Sequence, residues 1–228
     1  MLAYDIHTRL AEVAAGLQQP TAAAAAYQAA VNAAPSRVLA LRAREQWAAY
    51  ATGRADYASA LAQVEAILTV AQNAPYQAEM HALAGDAAWG LGRHAAAEKH
   101  WRDAITLAPR SSYAYQALIR LVDNDLAVDA FVRGQVDYDN AAYQPAVNAL
   151  KAFLDGKPDQ RRGEALALLA RSYQGLEDYA RALTTWDRLL TSYPEDPAWP
   201  GAWLGKACLL YPSPSPRDRT RSRMPSSA

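Results

Sequence analysis

The chain of 228 residues has one cysteine, Cys208, and two phenylalanines. A lone thiol excludes an internal disulfide framework and a cysteine-built zinc knuckle, and it leaves no redox clue to compartment. Net charge is missing as well, because 23 basic and 23 acidic side chains cancel. No electrostatic footprint for nucleic acid is therefore present. Long apolar runs are absent: charges and glutamines break every alanine tract short of the ~20 residues that a membrane span needs. Residues 1–10 hold Asp5, His7 and Arg9 where a signal peptide would carry an apolar core. Glycine is sparse, with 11 residues, while alanine and leucine dominate. That balance favours helix over strand by intrinsic propensity.

What the chain does have is a periodic arrangement of small, bulky and proline residues. Prolines stand at Pro35, Pro75, Pro109, Pro158 and Pro194. Before Pro109 come Gly85, Gly92, Ala97, Trp101 and Ala104; before Pro194 come Leu169, Ala170, Tyr173, Tyr179, Ala182 and Trp186, in nearly the same register. Small residues let two antiparallel helices approach, and a ring such as Tyr27, Trp101 or Trp186 fills the hole between successive hairpins. A proline after the second helix removes a donor and disfavours α geometry in the residue before it, so the chain turns there. Pro75 comes late in its unit, which predicts a preceding helix longer by most of a turn.

The period is close to the ~34 residues of a helix-turn-helix repeat, and the pattern resembles the tetratricopeptide (TPR) family. The resemblance implies an all-α, TPR-like right-handed superhelix of about six helical hairpins plus one extra helix. Its units are expected at residues 4–37, 41–75, 78–111, 127–160 and 163–196, with a partial unit at 197–207. The extra helix is expected at 112–123, where Tyr115, Leu118, Ile119 and Val122 share one face.

Helical periodicity stops at Cys208. Residues 208–218 resemble the translation of a sequencing adapter, departing from it at Pro212, and 208–228 are read as a non-native or disordered tail. A genuine basic Pro/Ser-rich arm is the rival reading. Without this segment, which carries four arginines and one aspartate, the formal charge becomes −3. A break in mid-hairpin implies a fragment of a longer bacterial protein, and Met1 is then open to the same reading as an internal residue.

Few residues suggest chemistry. His94 and His100 are six apart and fall on different sides of a helix, whereas a helical zinc site wants i, i+4 spacing and a third ligand. With His81 they are expected to bind no metal. Asp137, Asp139 and Asn140, and likewise Asp123, Asp125 and Asp129, open like calcium loops but lack the central glycine and distal glutamate; solvated helix ends are expected instead. There is no Gly-rich phosphate loop and no nucleophile with a partnered histidine. No catalytic residue and no cofactor are expected.

In the TPR architecture the first helix of each hairpin lines the concave wall. By register its exposed members here are Glu79, Asp86, Trp89, Gln135, Tyr138, Arg171 and Gln174. Packing accounts for Trp89 and Tyr138 equally well. Family members that clamp a peptide's C-terminal carboxylate use Lys and Asn at these places, and none of the seven is either, which disfavours a chaperone-tail adaptor.

A second string, Val128, Asp129, Phe131, Arg133, Gly134, Tyr138, Tyr143 and Ala146, followed by Pro197 and Trp203, resembles the helical superhelix of bacterial soluble lytic murein transglycosylases. That resemblance implies a peptidoglycan-cleaving parent in the periplasm or cell envelope, whose catalytic glutamate would sit in a lysozyme-like domain downstream. The expectation is a non-catalytic helical-repeat scaffold or binding module, such as that superhelical region. The alternative is a TPR adaptor, cytoplasmic if unrelated to the transglycosylases, that binds protein segments in its groove. Expected partners are a protein or peptide segment, a neighbouring domain of the parent chain, or peptidoglycan.

Overall fold

Side chains that start helices recur along the whole chain. Ser36, Asp56, Asn73, Ser111, Asp129 and Asp178 each accept a hydrogen bond from the backbone N–H three residues ahead. Each such bond satisfies a donor that the first helical turn leaves unpaired. The computed structural model describes residues 1–210, and among them there are twelve helices and no strand.

Five complete hairpins are formed. They are α1 (Leu2–Gly16) with α2 (Pro20–Ala33), α3 (Arg37–Gly53) with α4 (Tyr57–Leu68), α5 (Ala74–Gly90) with α6 (His94–Leu107), α8 (Ala130–Asp139) with α9 (Tyr143–Asp155), and α10 (Arg162–Gly175) with α11 (Tyr179–Ser192). Between the third and fourth hairpins lies α7 (Ser112–Asp123), where the extra helix is expected. A further helix, α12 (Trp199–Leu210), packs on α11 and α10. It continues through Cys208 to Leu210, and the rest of the tail lies outside the described residues.

The turn inside each hairpin is built the same way. A residue with positive φ follows the first helix: Gln18, Ala55, Gly92, Ala141 and Glu177. The next N–H then bonds back to the last turn, as in Gln19 to Ala14 O and Arg93 to Ala88 O, both 2.9 Å. This is the Schellman end, which satisfies carbonyls that the helix leaves open. α7 ends identically, with Asp125 at φ +54° and Leu126 N bonded to Leu121 O at 2.9 Å. It also packs on both α5 and α6. α7 is thus a first-type helix whose turn leads straight into the next hairpin, rather than a helix of a separate kind.

Two compact units result, one from Met1 to Val128 and a second beginning at Asp129, so the division falls directly after α7. In the first, Val64, Ile67, Trp101, Leu118 and Leu121 are fully buried. In the second, Phe131, Leu150, Leu166, Trp186 and Leu189 are. The small-against-bulky rule is visible atom by atom. A Cβ on Gly85 would stand 2.4 Å from the Trp101 ring, and one on Gly134 would stand 2.5 Å from Leu150. Those distances leave no room for a methyl group, so helix pairs close only because glycine is there.

One expectation about the prolines is corrected. Pro75 does not terminate a lengthened α4, which ends at Leu68; it sits in the first turn of α5. A proline at a helix start removes an N–H that has no intrahelical partner anyway, so the position is compatible with helix initiation. Pro20 opens α2 in the same manner.

Candidate functional site

In the first unit the first-type helices α3, α5 and α7 carry residues that recur at the repeat interval: Glu45, Glu79 and Tyr113 in one row, Thr52, Asp86 and Arg120 in another. Two adjoining cavities lie along them. One, of about 660 Å³, is lined by Glu45, Thr52, Val64, Ile67, Glu79 and Leu83 among others. The other, of about 450 Å³, is lined by Thr52, Asp86, Trp89, Trp101, Arg120 and Asn124 among others. Thr52 belongs to both, so they form one groove.

The larger cavity has an apolar lining with two half-buried carboxylates in it. Each carboxylate is held by a tyrosine: Tyr76 OH donates to Glu45 and Tyr113 OH to Glu79. Burial and the Glu45 bond push the Tyr76 hydroxyl well up from its ordinary value, and the Glu79 bond is the chief cause that raises the Tyr113 hydroxyl. Both phenols therefore stay protonated and keep donating. The acidic oxygens are pre-positioned, and remaining lone pairs can accept from a ligand. Leu83 is 41% exposed and offers an apolar surface beside them.

Of the sequence-derived wall residues, Glu79, Asp86 and Trp89 line this groove. Asp86 is already committed: it accepts from the Trp101 indole at 3.2 Å and from Arg120 Nε at 3.0 Å. Trp89 stacks at tilted angles on His94 and Trp101, with centroids 4.1 and 5.4 Å away. Gln135, Tyr138, Arg171 and Gln174 belong to the second unit. Tyr138 is half-buried against Tyr143 and the core there, Gln135 and Gln174 are half-buried, and Arg171 is exposed beside Gly201. A cavity of about 260 Å³ in that unit is lined by Lys151, Leu166, Tyr173, Arg188 and neighbours, none of these four among them. Glu45 and Leu83 were missed by sequence reasoning, although Glu45 stands one repeat before Glu79.

The acidic groups divide: Asp123, Asp125 and Asp129 are the exposed helix-end residues expected, whereas Asp137 departs from that expectation. Asp137 is 2% exposed. Burial raises its carboxyl to about 6, with Arg133, whose Nε is 3.7 Å away, opposing that shift. Asp129 caps α8, and Asp125 occupies the left-handed turn after α7.

Comparison with known proteins finds a match to a family model. The family model described as tetratricopeptide repeat matches residues 78–111, the hairpin of α5 and α6. No curated protein matches the chain. Among solved structures, PilF of Pseudomonas aeruginosa is similar at 18% identity, covering 89% of this chain and 82% of that one, with a TM-score of 0.38. The TPR2AB domain of yeast Sti1, solved in a pHSP90 complex, is similar at 14% identity over 90% and 82% of the two chains, with a TM-score of 0.40. With five helical hairpins sharing one turn design, and one of them matching the repeat family's own model, the chain is an all-α protein of the TPR-like helical-repeat kind.

Proposed function

We propose that the chain is a non-catalytic binding scaffold whose first unit holds an extended protein segment along α3, α5 and α7. The observation that carries the reading is the groove itself. A cavity of about 660 Å³ lies within the ~300–1,000 Å³ range of ligand sites, and its apolar lining with a few placed polar groups is what such sites use. Glu45 and Glu79 are acidic and Leu83 is an exposed apolar contact. The matching ligand is a peptide with an apolar side chain flanked by lysine or arginine. Of the wall residues read from the sequence, Glu79 and Trp89 stay with this groove, whereas Gln135, Tyr138, Arg171 and Gln174 lie in the second unit.

Selecting from a displayed library of random peptides on the full chain tests this. Peptides that pair a basic with an apolar residue are expected, with affinity falling several-fold in E45Q and E79Q and as salt rises. A selection without basic residues, or one whose binding ignores E45Q, E79Q and L83D together, overturns it. The transglycosylase origin rests only on the resemblance that begins around Val128. Sedimentation with purified peptidoglycan checks it, and a chain that stays in the supernatant counts against it.

A further inference from the structure

His81 on α5 and His100 on α6 face each other across their hairpin. The two Nδ1 atoms are 3.0 Å apart, with the rings tilted by 43° and their centroids 5.2 Å apart. Asp103, one turn beyond His100, places a carboxylate oxygen 3.8 Å from His81 Nδ1, and the three ligand atoms all lie within 4.8 Å of one another. Two nitrogens each ~2.0–2.1 Å from a tetrahedral zinc ion stand roughly 3.3–3.4 Å apart. The 3.0 and 3.8 Å spacings bracket that value and the third lies within 4.8 Å, so side-chain rotations that draw Asp103 inward by up to about an ångström would close the site. His94, which the sequence groups with His81 and His100, lies over Trp89 and takes no part.

We propose that His81, His100 and Asp103 form a binding site for a divalent transition metal of the zinc class. Two imidazoles and one carboxylate suit Zn²⁺ and Co²⁺ rather than thiolate-seeking Cu⁺ or all-oxygen Ca²⁺ and Mg²⁺. All three groups are partly exposed, which gives an ion a way in and leaves a fourth position for water. Burial, with a charge contribution from neighbouring Lys99, lowers both histidines from their ordinary value, so both rings are neutral near pH 7. Whichever ring carries its proton on Nδ1 moves it to Nε2 when the ion binds, a change of tautomer with no net proton lost. Other charges facing the pair are Glu65 of α4, which adds negative potential at His100, and Lys99, whose Nζ is 2.9 Å from Asp103 Oδ2. Lys99 competes with the ion for Asp103, so the site should have modest affinity that improves when this lysine is neutralised.

The test uses the full chain without a histidine tag. Titration with Co²⁺ should raise visible d–d absorption at one ion per chain, and Zn²⁺ should displace it. H81Q and H100Q should each weaken binding about tenfold or more, at least what loss of a supporting residue costs a metal site. K99Q should tighten binding several-fold, and H94Q should leave it unchanged. Because a histidine variant can perturb the hairpin, ¹⁵N spectra of the unaltered chain give a second readout, with Zn²⁺ shifting the Nδ1 signals of both His81 and His100. No Co²⁺ absorption, unmoved Nδ1 signals, or binding that persists in the H81Q/H100Q double variant overturns the assignment.

Discussion

Asp86 and Arg120 stand 34 positions apart, one repeat length, and their side chains meet in a two-pronged ion pair at 3.0 and 3.3 Å. The pair joins equivalent positions on α5 and α7, and Asp86 also accepts from the Trp101 indole at 3.2 Å. One carboxylate therefore ties the second helix of its hairpin to the first-type helix that follows.

The two ends of this pair differ in worth. Arg120 is about half exposed, and an exposed ion pair contributes roughly 0–1 kcal/mol. Trp101 is 1% exposed, so losing Asp86 leaves its N–H without a protein partner, at a cost of roughly 1–3 kcal/mol. Urea denaturation should show D86A more destabilised than R120A. Equal losses would mean that the indole bond carries no weight.

The left-handed turns supply a second outcome. Ala55 and Ala141 occupy positive φ at +58° and +59°, where an alanine is strained by its Cβ. Glycine relieves that strain but loses more backbone freedom on folding. The balance favours glycine, so A55G and A141G should each stabilise by about 0.5 kcal/mol. At Gly92, φ +72°, the reverse change G92A should destabilise by about 1 kcal/mol. Thermal melts of the three variants check both signs.

The parts of the fold legible in the sequence are those fixed by local rules. Trp101 and Trp186 are fully buried because each faces a small residue one helix away, and that alternation is written in the chain. α7 was legible as a helix from its apolar face. Its identity as a first-type helix was not, because that depends on backbone bonds such as Leu126 N to Leu121 O. Asp137 looks solvent-facing from its neighbours Tyr138, Asp139 and Asn140, yet the helix rotation turns it inward. His81 and His100 meet only through the relative rotation of α5 and α6, which no spacing along one helix reports. Glu45 was within reach, since the repeat that singles out Glu79 points to it as well.

Close packing at Gly85 gives a third outcome. Its absent side chain is the space that the Trp101 ring occupies, 2.4 Å from where a Cβ would be. Truncating the ring in W101A removes a fully buried indole and should cost about 3–5 kcal/mol. Enlarging the glycine in G85A should cost about 1–3 kcal/mol by overpacking. Combining them should cost less than the sum, because the added methyl enters the space the ring vacates. Additive losses in a double-mutant cycle would show that the two positions do not share a cavity.

Asp137 supplies a pH-dependent outcome. Its carboxyl titrates at about 6 in the folded chain against an ordinary 3.8, because burial disfavours the charged form more than Arg133 favours it. A raised folded value means that the folded state binds the proton more tightly than the unfolded one. Stability from this group is therefore complete below about pH 4 and is lost as pH rises through about 6. The difference of about two pH units is worth up to roughly 3 kcal/mol. Asparagine resembles the protonated form at every pH, so D137N should match the unaltered chain within about 1 kcal/mol at pH 4.5 and exceed it at pH 8 by about 1–3 kcal/mol. Because other acidic groups titrate in both proteins, the difference between their urea midpoints across pH isolates Asp137. A difference that does not grow between pH 4.5 and 8 would show that Arg133 turns inward to neutralise the carboxylate and that burial is not the dominant effect.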